Sequence, residues 1–64
     1  KREKKYNLLL NQKVAIGMSM HEVELILGIP DSIVLDNKYE LWIYNISDST
    51  VTYFFKDYFL VSID

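Results

Sequence analysis

The chain has 64 residues and a mass of 7.6 kDa; half the residues are apolar, a quarter are charged, and nine are aromatic. That apolar content excludes a disordered segment, and the lack of cysteine excludes disulfide staples, thiolate metal sites and thiol nucleophiles. The longest unbroken apolar run is four residues, too short to span a bilayer as a helix, and one histidine with two glycines leaves little for catalysis or phosphate cradling.

Charge is unevenly placed. Residues 1 to 5 carry four basic side chains (Lys1, Arg2, Lys4, Lys5) against Glu3, a net +3, while the remainder carries three basic and eight acidic residues, a net −5. An acidic body repels phosphate backbones, so nucleic acid is a poor partner. The basic leader could touch anionic lipid head groups at about 1 kcal/mol per charge; its plainer reading is a solvated linker. The chain opens on Lys1 rather than methionine, which leads us to expect a leader, signal or tether upstream.

In chain order, Tyr6, Leu9, Leu10 and Val14 recur near the helical period, which predicts a short amphipathic helix over Tyr6–Val14. Lysines at its start oppose the macrodipole and would fray the first turn. A second helix over about residues 20 to 27 is specified at both ends. Ser19 with Glu22 three residues on has the spacing of a capping box, and Met18 with Val23 that of a hydrophobic staple. Met20, Val23, Ile26 and Leu27 form its apolar stripe, Gly28 suits a left-handed position after the last turn, and Pro30 stops continuation.

From Ser32 onward β-branched and aromatic residues dominate, predicting strands at Ile33–Leu35, Tyr39–Ile46, Thr50–Phe55 and Phe59–Ile63. The short polar breaks between them suit hairpins, so the expected class is α+β: two short N-terminal helices on one face of a four-stranded antiparallel meander, three strands of it long. A two-residue turn at Asp48-Ser49 would pair Ile46 with Val51, Tyr44 with Tyr53 and Trp42 with Phe55. A three-residue turn at Lys56–Tyr58 would pair Phe55 with Phe59, Tyr53 with Val61 and Val51 with Ile63. Trp42, Tyr44, Ile46, Val51, Tyr53, Phe55, Phe59, Val61 and Ile63 then share the face that the helices are expected to cover. Tyr58 fits this turn badly, because its last position favours a left-handed Gly or Asn.

Candidate chemistry is sparse. His21, the one imidazole, stands with Glu24 at helical spacing, yet a catalytic zinc takes three protein ligands; an exposed residue in the first helical turn is the plainer reading. Ser19 is already engaged as a cap, and Asp31, Asp36 and Asp48 fall in turns without the alternating acids of a calcium loop. Asn45-Ile46-Ser47 matches a glycosylation sequon, a pattern that arises often by chance. No catalytic, cofactor-binding or metal-binding residue is therefore assigned, and an enzyme is not expected. What remains is the second sheet face, where Leu41, Ile43, Asn45, Thr52, Phe54 and Leu60 make a partner-binding surface, unless loops, the N-terminal segment or a second copy cover them.

The block Gly17-Met18-Ser19-Met20-His21-Glu22-Val23-Glu24-Leu25-Ile26-Leu27-Gly28-Ile29-Pro30 resembles the signature of the SmpA/OmlA (BamE-like) small bacterial lipoproteins. Trp42-Ile43-Tyr44 resembles that family's W-x-Y strand, and Val51–Phe55 with Leu60–Ile63 resemble its last two strands. With length giving a single domain over residues 1–64 and charge marking residues 1–5 as a basic linker, the resemblance covers roughly Ile16 to Asp64. It implies an α+β fold shared with β-lactamase-inhibitor-like proteins, and a lipidated cysteine preceding Lys1 that anchors the chain in the bacterial envelope. It further implies a non-catalytic accessory role in outer-membrane protein assembly or envelope integrity, through protein partners. The shorter loops after Asp36 and Ile46, and a last hairpin without glycine, depart from the family pattern. An inhibitor or immunity-type binder of a specific enzyme is the alternative, since this fold serves such binders as well. A core this small with short turns would also permit a domain-swapped homodimer.

Overall fold

Ser19 caps the helix. Its hydroxyl accepts a hydrogen bond from the Glu22 amide at 3.1 Å, and the Glu22 carboxylate accepts one from the Ser19 amide at 2.9 Å, closing the expected capping box. A computed structural model of the chain describes residues 14–64. Helix α1 spans Met20–Leu27, with Val23 fully buried at the centre of its inner stripe. A helix this short is marginal in water alone, so the cap and the burial of Val23 are what hold it. At its end the Gly28 amide donates to the Glu24 carbonyl at 2.8 Å, with φ 85° and ψ −169°, a backbone region open essentially to glycine only.

Strands β1 (Ser32–Asp36), β2 (Tyr39–Ile46), β3 (Ser49–Lys56) and β4 (Phe59–Ile63) follow, paired antiparallel in the order β1-β2-β3-β4. The turns between them are two-residue: Asn37-Lys38, Ser47-Asp48 and Asp57-Tyr58. The first residue of each has positive φ, and in the last turn both do, at 53° and 82°. Paired positive φ is the mark of a type I′ hairpin, whose twist matches that of the flanking strands. Asn37 tolerates this conformation readily; Tyr58 adopts it against its own steric preference.

α1 packs with the sheet face that carries Trp42, Tyr44, Val51, Tyr53, Phe55 and Leu60, which with Val14 and Val23 make the buried core. The Trp42 and Phe55 rings lie 4.7 Å apart, and Tyr44 meets Tyr53 edge-on at 5.4 Å. Three expectations need correction. Two N-terminal helices were expected, but among the described residues there is one, Met20–Leu27; the Tyr6–Val14 helix falls outside them except for Val14, which is buried in non-helical chain. The β2–β3 turn sits one residue earlier than expected, so Tyr44 pairs with Val51 and Trp42 with Tyr53. That shifts the partners by two, which preserves the face of every side chain.

The third correction lies in β4. The two-residue turn pairs Lys56 with Phe59 and Phe55 with Leu60, after which a bulge lets Phe54 face Ser62 and Tyr53 face Ile63. Val61 is the extra residue. Leu60 (1% exposed) and Ile63 therefore point to the core, while Phe59 and Val61 stand half-exposed rather than buried. The outer edge of β4 is closed by the chain that leads into α1. The Gly17 amide donates to the Leu60 carbonyl at 2.8 Å, the Leu60 amide to the Met18 carbonyl at 2.7 Å, and the Met20 amide to the Tyr58 carbonyl at 2.9 Å. Gly17 makes this approach at φ 100°.

Candidate interaction surface

Alternation along a strand sends successive side chains to opposite faces, so the residues between the core positions make up the second face. One cross-strand row is Val34–Leu41–Phe54–Ser62, a second is Ser32–Ile43–Thr52, and a third is Asp36–Tyr39–Lys56–Phe59. Leu41, Ile43, Thr52 and Phe54 are half-buried by their strand neighbours, whereas Val34 and Tyr39 are more open. Tyr39 and Phe54 meet edge-on at 6.4 Å, tying the first row to the third. Among the described residues no helix packs on this side. Its middle is apolar and lacks charge, with Asp36 and Lys56 confined to one margin.

Of the six side chains expected to bind a partner, Leu41, Ile43, Asn45, Thr52 and Phe54 do share this face. Asn45 lies at its far end, where its amide donates to the Asp31 carboxylate at 2.7 Å and its side-chain oxygen accepts from the Thr50 hydroxyl at 3.3 Å. Leu60 does not join them: the two-residue turn at Asp57-Tyr58 sets it opposite Phe55 and so on the core face. Val34, Tyr39 and Phe59 belong to the face and went unrecognised. The first two could have been found from the pairing forced by a turn at Asn37-Lys38; Phe59 required the true length of the last turn.

The two faces differ in how they handle polar atoms. On the core side the Trp42 indole donates to the Glu40 carboxylate at 2.9 Å, and the Tyr44 hydroxyl donates to the Gly28 carbonyl at 2.8 Å, linking β2 to the end of α1. Burial, with the nearby charges of Tyr53, Glu24 and Asp31 after it, pushes the Tyr44 phenol up to about 12. His21 is exposed on α1, and among the described residues no three His, Cys, Asp or Glu side chains come together. No helix among them is long and apolar enough to cross a membrane. Lys1, Arg2, Lys4 and Lys5, the expected lipid contacts, lie outside the described residues. Comparison of the chain with protein-family models, curated proteins and solved structures finds no match.

Proposed function

We propose that this domain is a non-catalytic protein-binding module of the bacterial cell envelope, acting as an accessory in outer-membrane protein assembly or envelope integrity, and that the second sheet face grips its partner. The observation that carries the binding role is the uncharged row Val34–Leu41–Phe54, which crosses three strands on a side that α1 leaves uncovered. Contiguous apolar surface of this kind supports an interaction site. The envelope setting rests on the resemblance of the Gly17–Pro30 block to the SmpA/OmlA lipoproteins. In that block, Gly17, Ser19, Glu22 and Gly28 serve the fold, which supports a binding role carried by another surface.

The test is a photo-crosslinking residue at Phe54 in the full-length protein, expressed in a bacterial host with an outer membrane. A discrete adduct with a component of the barrel-insertion machinery, lost in Leu41→Lys, is the expected outcome. A stoichiometric adduct with a single soluble enzyme would replace this reading with the inhibitor one. Absence of any adduct, with the fold intact by circular dichroism, would refute both.

A further inference from the structure

The two edges of the sheet are treated differently. On β4, both outward backbone groups of Leu60 are taken by Gly17 and Met18. On β1, a two-residue turn makes Asp36 and Tyr39 the hydrogen-bonded pair that closes the hairpin, so the backbone groups of Val34 also face β2. The N–H and C=O of Ile33 and Leu35 consequently face away from the sheet, and among the described residues nothing pairs with them. All five β1 residues are exposed, with Leu35 at 76% and Ile33 at 52%. Natural sheets usually blunt such an edge with lysine, proline or a bulge. This edge has none of these between Ile33 and Leu35, and the bulge is on the opposite strand.

Charge indicates what the edge accepts. Residues 14–64 carry eight acidic and two basic side chains, a net −6. Asp31 and Asp36, both exposed, stand at the two ends of β1. A second copy pairing antiparallel at β1 would bring Asp36 of one edge close to Asp31 of the other. A basic-flanked strand would not meet that repulsion.

We infer that the free edge of β1 is a docking site for an extended peptide segment whose three central residues are apolar and whose flanks are Lys or Arg. The incoming strand pairs antiparallel, exchanging hydrogen bonds with Ile33 and Leu35. Its central residue lies beside Val34, at the end of the Val34–Leu41–Phe54 row, and its basic flanks lie beside Asp31 and Asp36. This inference rests on the domain being a protein binder and adds how the partner is engaged: by an added strand continuous with the apolar face.

The probe is a capped peptide, Lys-Lys-Val-Ile-Val-Lys-Lys, titrated into the isotope-labelled full chain with amide shifts followed by NMR. Shifts should concentrate at Ile33 and Leu35. Raising the ionic strength from about 0.01 M to about 1 M, which shortens the Debye length from about 30 Å to about 3 Å, should weaken binding about tenfold. Leu35→Pro removes an outward donor at an edge position where proline is tolerated, and should weaken binding by at least about tenfold while leaving the β2–β4 amides unchanged. Equal binding of a glutamate-flanked peptide, shifts confined to Leu41 and Phe54, no shifts at all, or self-association at β1 by light scattering would each overturn the inference. If Leu35→Pro keeps the partner adduct at Phe54, the edge inference falls while the binding reading stands.

Discussion

Tyr44→Phe isolates a side-chain bond that fastens the end of α1 to β2. The ring stays, and with it the edge-on contact to Tyr53; only the hydroxyl that donates to the Gly28 carbonyl at 2.8 Å is lost. Gly28 is exposed, so water can reach the freed carbonyl, and the expected loss is about 1 kcal/mol at neutral pH. Alkaline pH adds a second signature. In the folded chain Tyr44 keeps its proton up to about 12, whereas in the unfolded chain it releases it near 10. Above pH 10 the unfolded state binds fewer protons than the folded one, so this contribution is complete below 10 and declines as pH rises to 12. Its ceiling is roughly 2–3 kcal/mol, and partial solvation of the phenol tip lowers it to about 1 kcal/mol. Urea denaturation followed by Trp42 fluorescence, from pH 7 to about pH 12, should show the wild type losing its advantage over Tyr44→Phe through this window. Parallel stability curves for the two proteins would refute the reasoning.

Other substitutions test the remaining supports. Phe55→Ala empties a fully buried site against Trp42 and should cost about 3–5 kcal/mol; a domain this size has about 3–10 kcal/mol in total, so loss of the cooperative thermal transition is expected. Gly28→Ala meets no atom within 4 Å, yet its φ of 85° should make it destabilising by about 1–3 kcal/mol in urea. Ser19→Ala should cost about 0.5–2 kcal/mol, and a double-mutant cycle with Glu22→Ala should show coupling between the two halves of the box. Phe54→Lys should cost about 0.5–1.5 kcal/mol, the worth of the edge-on Tyr39 contact, while the thermal transition stays cooperative, because Phe54 is half-buried on the face away from the core.

The helix was legible because its signals are local: a hydroxyl, a carboxylate and two glycines act within a turn of themselves. Strand positions were legible for the same reason, since the runs Tyr39–Ile46 and Phe59–Ile63 are bounded by polar breaks. The β2–β3 turn lies one residue before the position its composition suggests, yet Trp42, Tyr44 and Tyr53 reach the core in either register, because the two differ by an even step. In β4 an odd step intervened. A backbone conformation that Tyr58 resists intrinsically is imposed there by the hairpin, and the bulge at Val61 then restores Ile63 to the core. Both events are set by tertiary packing around Leu60, which leaves no mark in local composition. The second face was legible as alternation; the open edge was not, because edge or interior position depends on pairing partners rather than on the residues of β1.

The clasp between Gly17–Met20 and the last hairpin has a consequence for how the chain matures. The segment leading into the helix takes its backbone partners from Tyr58 and Leu60, near the C-terminal end. Closing so long a span delays consolidation until the last hairpin is available to pair, and low local contact order is forfeited. Truncating the final strand should therefore release α1 as well, so that the helix and the last hairpin melt as one cooperative unit.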